Sequence, residues 1–493
     1  MQLKIKILKL LAGRPIAILN FETANKINIH ANERILISKN KKQVISIIDT
    51  TKGLVSRDEL AVSNEIVSLL DLKEGETVEV SIAEKPESTG LIRKKMDGKP
   101  LEKNEIELII KDIVNNALTE PEIAYFVSAV YKNGMSDEET SDLISAMVST
   151  GKKLNFSGRV VDKHSIGGIA ANRTTPIVVS ICTAAGLIMP KTSSRAITSA
   201  AGTADVIEAI AKVEFTVEEM KKIVRKTNGC MVWNGILGLS PADDKLIQVE
   251  RIINLDPEPQ LLASVLSKKI SVGSKYVLID IPYGKSAKVD KKQGLNLKEK
   301  FEKFGKKFGL KLMCVLTKGD EPIGNGIGPL LEIRDIIKVL RRENCPRDLE
   351  DKAVFLAGQI FELCDSVKKG KGEILARDIL DSGRAYEKFR EIIEAQGGHV
   401  PRIEEIEPLL GKFRKDILAT TDSEIKIIDN KKINLIGSIA GSPMDKGAGI
   451  YLYKHVKDRV VKGEKVITIY SNSESRLENA IRLFHKSKPL EYK

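Results

Sequence analysis

The stretch that decides the fold is RVVDKHSIGG, residues 159–168, which passes from an apolar run into a polar segment that ends in two glycines. Residues 159–161 predict a buried strand, and residues 162–168 predict a loop before a helix with Pro176 in its first turn. Backbone amides beside glycines can approach an anion closely, and Lys163 and Ser165 add a positive charge and a hydroxyl donor. The pattern favours an anion-binding loop, although a plain βα turn would also contain glycines.

A second polar stretch is TSSRAITSAAGTAD, residues 192–205, which holds six hydroxyl side chains and Arg195. A solvated Ser/Thr loop would have a similar composition. A guanidinium among small residues, however, suits a bidentate contact with phosphate. Loops at the carboxyl ends of neighbouring parallel strands converge on one crevice, so we expect both stretches to meet there.

The surrounding sequence predicts three kinds of structure. Residues 158–210 alternate strand, loop and helix, which is typical of a parallel sheet. Residues 101–149 have a helical period, with capping boxes at Thr119 with Glu122 and at Ser136 with Glu139. Short alternating runs at 3–7, 34–38 and 77–82 indicate strands.

We therefore expect a multi-domain α/β protein. It would have a β-rich, barrel-like module at residues 1–85, a helical region at residues 101–149, and a β/α region with a mixed or parallel sheet. A β-rich C-terminal subregion would begin at about residue 411. Residues 84–100 contain two prolines and two glycines and predict a linker, either a hinge or a mere connector.

Composition excludes several classes of protein. The 493 residues are 42% hydrophobic and 30% charged, which is enough apolar surface to offset chain entropy, so most of the chain is not disordered. The most hydrophobic stretch, residues 177–190, is too short to span a bilayer. The N-terminus lacks the apolar segment of a signal peptide. Five scattered cysteines favour reduced thiols and a cytoplasmic location.

The formal charge of +12 calls for an anionic partner. Nucleic acid is one candidate, but aromatic residues make up only 4% of the chain and no recognition motif is present. Small phosphorylated molecules fit the two loops better. The sequence contains no metal-binding motif, and its Gly324-Asn325-Gly326-Ile327-Gly328 run lacks the spacing of a dinucleotide fingerprint.

Both loops resemble those of the pyrimidine-nucleoside phosphorylase superfamily, which includes thymidine phosphorylase. Its K-H-S-x-G-G motif matches residues 163–168. Its longer signature matches Ser193, Arg195, Gly202, Thr203, Asp205, Ile207 and Glu208. The similarity extends from about residue 91 to the C-terminus. It implies an all-α domain of residues 91–155 plus 240–272, opposite an α/β domain of residues 156–239 plus 273–493.

Three departures from the pyrimidine-specific members indicate which branch of the superfamily this sequence resembles. Val249 stands where those members have an arginine that reads the pyrimidine, seven residues before the aspartate that is Asp256 here. Residues 170–173 replace an acidic position, and the N-terminal module is additional. Together they resemble the archaeal AMP phosphorylases, which convert AMP and phosphate to adenine and ribose 1,5-bisphosphate and also accept CMP and UMP.

The resemblance implies the roles of individual residues. Phosphate, which is a co-substrate and not a cofactor, would be bound by Lys163, Ser165, Ser193 and Thr203. The nucleotide would be bound by Gly168, Ser194, Arg195, Ala196, Ile197, Thr198, Ser199, Thr203, Ser264, Lys268 and Lys288. Asp256 would be the proton donor. A homo-oligomer, a dimer or larger, would assemble through the N-terminal module.

Other interpretations of these residues remain open. Asp256 precedes a proline and would serve equally well as a helix cap. Lys288 would by default be a surface lysine, and His164 would contact phosphate or the sugar, or be structural. The alternative functions are a nucleoside phosphorylase, a phosphoribosyltransferase of similar architecture, and, more distantly, a basic nucleic-acid-binding protein.

Overall fold

The computed structural model describes residues 1–196 and 199–493, and the chain divides into two compact units. The first unit contains residues 1–151 and 240–267, and the second contains residues 152–239 and 268–493. The predicted β-rich module thus lies in the first unit, and both predicted anion loops lie in the second. Ile197 and Thr198, two predicted binding residues, lie outside the described residues.

The N-terminal part of the first unit is a closed barrel with strand order β1-β5-β2-β4-β3-β6. Its elements are β1 (Gln2–Ile7), β2 (Ile16–Asn20), α1 (Phe21–Lys26), β3 (Arg34–Lys39), β4 (Lys42–Thr51), β5 (Glu59–Val62), α2 (Asn64–Leu70) and β6 (Thr77–Ile82). Alternate residues such as Leu3 and Ile5 are buried in the barrel core, because successive side chains of a strand face opposite sides. The three predicted strands are confirmed.

Helices follow the barrel in the first unit. They are α3 (Ser88–Met96), α4 (Lys103–Val114), α5 (Glu120–Asn133) and α6 (Asp137–Ser149). Both predicted capping boxes are confirmed, since Thr119 caps α5 with Glu122 and Ser136 caps α6 with Glu139. These reciprocal bonds satisfy amides that have no partner inside the first helical turn.

The expected linker at residues 84–100 is wrong, because helix α3 occupies most of it. Ile92 is buried, and Ser88 Oγ donates to Asp112 Oδ2 at 2.6 Å. The buried Lys95 ammonium lies 2.7 Å from Glu139. Pro86, Gly98 and Pro100 flank this packed helix and Gly90 lies within it, so the segment is not a flexible connection.

The second unit is built on parallel strands. Its first elements are β7 (Val161–Ser165), α7 (Thr174–Ala184), β8 (Met189–Ser193), α8 (Thr203–Glu208), α9 (Val217–Thr227) and β9 (Gly229–Trp233). The chain then returns to the first unit for α10 (Pro241–Ile253) and most of α11 (Glu258–Val272), and the second unit continues with β10 (Tyr276–Tyr283), α12 (Lys291–Lys307) and β11 (Lys311–Lys318). Strand β10 pairs in parallel with β7 and β11, β8 pairs in parallel with β9, and a bridge from Val160 to Ile188 joins the two groups. The predicted parallel sheet is confirmed.

The remaining elements complete the second unit. They are β12 (Gly326–Ile327), α13 (Pro329–Arg341), α14 (Arg347–Leu363), α15 (Gly372–Asp381), α16 (Arg384–Ala395), α17 (Ile403–Ile406), β13 (Phe413–Leu418), β14 (Ser423–Ile428), α18 (Asn430–Ala440), β15 (Gly449–Leu452), β16 (Arg459–Val460), β17 (Lys465–Ser471), α19 (Glu474–Ser487) and β18 (Leu490–Tyr492). The last six strands form two small sheets, one of which includes β12. The predicted multi-domain α/β class with a β-rich C-terminal region is confirmed. Within residues 1–196 and 199–493, no helix combines the length and apolar content needed to cross a membrane.

Candidate active site

The first predicted loop begins later than expected. The strand was expected at residues 159–161, but β7 runs from Val161 to Ser165, so Lys163 is a strand residue and the loop starts at Ile166. Polar residues can occupy this strand because each has a partner. Buried Asp162 lies 2.7 Å from Lys269 and 3.2 Å from Lys191. Burial alone would raise the pKa of Asp162, but the charges of these two lysines hold it below its usual value.

Lys163 is fully buried near the carboxyl end of β7. Its Nζ donates to Thr174 Oγ1 at 2.9 Å. Burial lowers the pKa of Lys163 to about 8, and the charge of Asp280 on β10 opposes this decrease. Asp280 in turn accepts from Thr317 Oγ1 at 2.6 Å and lies 3.0 Å from Lys352. Lys163 is therefore a cation near neutral pH that can lose its charge under mildly alkaline conditions.

His164 stands in a positive field. Burial holds its pKa well below the usual value, and four lysines lower it further: Lys269, Lys191, Lys268 and Lys163. His164 is therefore neutral near pH 7 and adds no charge of its own. The excess of lysines over nearby carboxylates makes this end of the sheet attractive to an anion.

Two glycines shape the loop after β7. Gly167 and Gly168 have φ of +86° and +89°, a region that favours glycine. A Cβ on Gly168 would lie 2.7 Å from the backbone nitrogen of Lys288, so only glycine fits there. The structure thus brings two predicted site residues, Gly168 and Lys288, into direct proximity.

The second loop is folded back on itself by Asp205. Its Oδ2 accepts from the amides of Ala196 at 2.7 Å and Gly202 at 2.8 Å. A Cβ on Gly202 would lie within 2.7 Å of the backbone of Ser194 and Ala196, which explains the glycine. The predicted binding residues Ser194, Arg195 and Ala196 are therefore held in one compact turn.

The Arg195 guanidinium, which is predicted to contact phosphate, is bound to carboxylates in the structure. Its nitrogens donate to Glu208 at 2.7 and 2.8 Å and to Glu214 at 3.0 Å. The bond from Arg195 lowers the pKa of Glu208 to about 2. The guanidinium also lies 4.8 Å from the centre of the Trp233 ring. These donors thus contact carboxylates in the structure, and the binding of the nucleotide by Arg195 stays a prediction.

Arg173 connects the two loops, and the sequence analysis missed this role. Its Nη1 donates to Thr203 Oγ1 at 2.8 Å and its Nη2 to the Ala201 carbonyl at 2.6 Å. Its Nε lies 2.6 Å from Glu332, so the charge is balanced. Thr203, a predicted ligand of both substrates, is thereby fixed beside the first loop. The only signal in the sequence was an arginine among small residues shortly after the two glycines.

The two predicted phosphate-binding serines end neighbouring strands. Ser193 Oγ, at the end of β8, is buried and has no hydrogen-bond partner among the described residues. Ser165 Oγ, at the end of β7, accepts a long bond of 3.5 Å from Asn172 Nδ2. Because buried polar atoms are nearly always paired, the Ser193 hydroxyl is a donor suited to an anion.

Asn430 and Asn434 of α18 were also missed. Asn430 Oδ1 accepts from the Ala170 amide in the first loop, and Asn434 Oδ1 accepts from the Ala200 amide in the second, each at 3.0 Å. Their spacing of four residues places both on one helical face. Residues this distant in sequence from the loops gave no signal before folding.

Asp256 and Ser264 belong to the first unit, whereas the loops above belong to the second. Asp256 is exposed, between α10 and α11. The Leu261 amide donates to the Pro257 carbonyl, so Pro257 directly precedes α11 and Asp256 stands one residue earlier than a helix cap. Ser264 and Lys268 lie four residues apart on α11 and so share a face.

Val249 lies elsewhere in the first unit. It is buried on α10 and lines a cavity of about 430 Å³ between the 12–15 loop of the barrel and the helices. Lys245 beside it donates to the carbonyls of Ile113 and Val114, both at 2.8 Å, and so completes the end of α4. None of the predicted site residues that the structure describes lines this cavity.

Family comparisons agree with this architecture. The helical bundle domain of the glycosyl transferase family matches residues 89–151, and the a/b domain of that family matches residues 157–386. The pyrimidine nucleoside phosphorylase C-terminal domain matches residues 425–491. The crystal structure of anthranilate phosphoribosyltransferase from Thermus thermophilus is similar in fold, with a TM-score of 0.54 and 17% identity over 62% of this chain and 99% of that one.

Curated relatives match over almost the whole length. An AMP phosphorylase from Pyrococcus furiosus is 44% identical over 99% of this chain and 97% of that protein. AMP phosphorylases from Thermococcus kodakarensis and Methanocaldococcus jannaschii are 43% and 42% identical, over 99% and 95% of this chain and 97% and 93% of those proteins. The match includes the N-terminal barrel as well as the two glycosyl transferase domains. The chain therefore belongs to the AMP phosphorylase family.

Proposed function

We propose that the protein catalyses the reversible phosphorolysis of nucleoside 5′-monophosphates. Inorganic phosphate attacks C1′ of AMP, the C1′–N bond breaks, and adenine and ribose 1,5-bisphosphate are released. The observation that carries the proposal is the contact of Gly168 with the Lys288 backbone. It places a second lysine beside the first anion loop, as a substrate with its own phosphate requires. The names of the full-length relatives support the same substrate.

The attacking phosphate would lie at the carboxyl ends of β7 and β8. Lys163 supplies charge, and the Ser193 hydroxyl supplies a donor that has no partner among the residues the structure describes. Thr203 is held in place by Arg173. Because these groups are fixed before substrate binds, they can orient phosphate beneath C1′ without reorganising, and orientation alone can contribute several kcal/mol.

The leaving base gains electron density as the sugar becomes cationic, and a proton donor eases its departure. We assign this role to Asp256, with Ser264 and Lys268 of α11 contacting the nucleoside. The 5′-phosphate would be held by Lys288 and by residues of the 194–199 segment. Inorganic phosphate is a co-substrate, and that no cofactor is needed stays a prediction.

The range of bases is a finer part of the proposal. We propose that CMP and UMP are also cleaved and that the reaction serves nucleotide salvage. The support is the resemblance alone, because the arginine that reads the pyrimidine in pyrimidine-specific enzymes is replaced by Val249.

A direct assay tests the proposal. Purified protein is incubated with phosphate and either AMP or adenosine, and base release is measured by chromatography. We expect AMP to be cleaved with phosphate-dependent formation of ribose 1,5-bisphosphate. Faster cleavage of adenosine would instead identify a nucleoside phosphorylase. Adenine release that requires pyrophosphate would identify a phosphoribosyltransferase, and RNA binding without any cleavage would favour the nucleic-acid alternative.

The pKa of Lys163 predicts the alkaline limit of the reaction. Since its pKa is about 8 and only the charged form attracts phosphate, kcat/KM for phosphate should fall above about pH 8, up to tenfold per pH unit. Phosphate itself stays a dianion over this range. The control is kcat/KM for AMP at saturating phosphate, where the bound anion keeps Lys163 protonated. A flat phosphate profile from about pH 7 to 9.5 would contradict the role of Lys163.

We also propose that the protein self-associates through its N-terminal barrel and works in the cytoplasm. The five free cysteines fit a reducing compartment. Exposed apolar residues on and beside the barrel, such as Leu11, Phe21 and Leu54, suit a protein interface. Light scattering of the full chain and of a chain lacking residues 1–84 tests the assembly, because deletion should reduce the number of subunits.

A further inference from the structure

The loops around the candidate site share one support, the asparagine pair Asn430 and Asn434 of α18. Asn430 contacts three of these loops. Its Oδ1 accepts from the Ala170 amide after β7 at 3.0 Å, and its Nδ2 donates to Ser286 Oγ after β10 at 3.0 Å and to the Gly319 carbonyl after β11 at 3.2 Å. Asn434 contacts the loop after β8 through Ala200. The pair therefore reaches the carboxyl ends of four parallel strands.

These contacts are buried, so water cannot replace either partner of the hydrogen bonds. Asn430 is fully buried and Asn434 is 4% exposed. An unpaired amide in such a place would cost free energy, so the side chains and loop amides constrain one another. The backbone amide of Asn430 also donates to Ser286 Oγ at 3.2 Å, which strengthens the link to the loop after β10. This loop, which contains Ser286 and Lys288, is the third loop.

Helix α18 is itself firmly placed. Asp429 caps its first turn, and Ile433 and Ile436 are buried in the C-terminal core. A Cβ on Gly437 would lie 3.0 Å from the Ala200 Cβ, so the helix approaches the second loop closely. The same core contains Ala170 of the first loop and Ala200 of the second, so the helix and the two loops pack together.

We propose that Asn430 and Asn434 are positioning residues that set the separation of the two phosphate-binding pockets, a role that rests on the proposed function. Asn430 joins the loop of Gly168, beside Lys163, to the loop of Lys288. The first loop would hold the attacking phosphate and the third the 5′-phosphate of the substrate. Asn434 fixes Ala200 of the second loop relative to both. A substrate with two anions to place depends on this separation, whereas an unphosphorylated nucleoside does not.

The test compares AMP with adenosine in Asn430→Leu, which keeps the side-chain volume and removes the three side-chain hydrogen bonds but not the one from the backbone amide. We expect the ratio of kcat/KM for AMP to kcat/KM for adenosine to fall about tenfold or more, since the loss of buried hydrogen bonds frees the third loop. Ser286→Ala removes the same link from the other side and carries the test if Asn430→Leu does not fold.

The matched control is Gln396→Met. Gln396 is also a buried amide, and it accepts from the Met231 amide at 2.8 Å and donates to the Lys212 carbonyl at 2.8 Å, away from the loops. Its loss should lower the melting temperature and leave the substrate ratio unchanged. An equal change of the ratio in Gln396→Met would show a general loss of stability and overturn the positioning role.

Calorimetry with inorganic phosphate alone separates this proposal from the proposed function. We expect Asn430→Leu and Asn434→Leu each to weaken phosphate binding about tenfold. If the natural protein cleaves AMP and the folded variants keep both its phosphate affinity and its substrate ratio, the positioning role is wrong. If the natural protein prefers adenosine and the variants still lose phosphate affinity, the proposed function fails and the positioning of the loops stands.

Discussion

Replacing Asp256 with asparagine should lower kcat by about 10²–10⁴-fold while KM for AMP and phosphate changes little, because only the transfer of a proton to the leaving base is removed. Asparagine keeps the size and the hydrogen-bonding oxygen of aspartate. A purely structural Asp256, which stands one residue before the cap position of α11, would therefore tolerate it. The substitution thus separates proton donation from a structural role. Steady-state kinetics with both substrates measures the effect.

The control for this prediction is Glu258→Gln, which removes a carboxylate two residues away in the first turn of α11. It should leave kcat within about twofold, the size of an ordinary surface effect. Losses of kcat and affinity by equal factors in Asp256→Asn would indicate positioning and not proton donation. An unchanged kcat would remove Asp256 from the reaction.

Replacing Lys288 with alanine should raise KM for AMP by about 10–100-fold, the value of one charge-assisted hydrogen bond. KM for phosphate should stay the same, because Lys163 and the ends of β7 and β8 form the other pocket. Adenosine, which lacks the 5′-phosphate, should be cleaved as before, so the preference for AMP should be largely lost. Kinetics with AMP and adenosine at fixed phosphate measure this directly.

Lys285→Ala is the matched control, since Lys285 is an exposed lysine of the same loop. It should change neither KM by more than about twofold. A rise in KM for phosphate in Lys288→Ala, with AMP spared, would assign that lysine to the attacking anion. The assignments of the two pockets, one to the attacking phosphate and one to the 5′-phosphate, would then have to be exchanged.

Much of the fold could be predicted because the forces involved act over a few residues. The capping boxes at Thr119 and Ser136 satisfy amides within one helical turn, and alternation at residues 3–7 reflects the two faces of one strand. The prediction of a linker at residues 84–100 was wrong because the contacts that stabilise the helix there are distant in sequence. Helix α3 exists because Ser88 and Lys95 find partners in other helices, at Asp112 and Glu139, which no local pattern reveals.

The sequence by itself determined the chemistry of the loops, with their glycines, hydroxyls and lysine, and the resemblance added the residues to test. The tertiary structure decided which partners each of these side chains has. It engaged the Arg195 guanidinium with carboxylates, made Lys163 a buried strand residue, and left the Ser193 hydroxyl unpaired among the described residues. It also brought Asn430 to Ala170 across 260 positions of the chain. Such contacts depend on how whole elements pack, so a pattern of neighbouring residues cannot predict them.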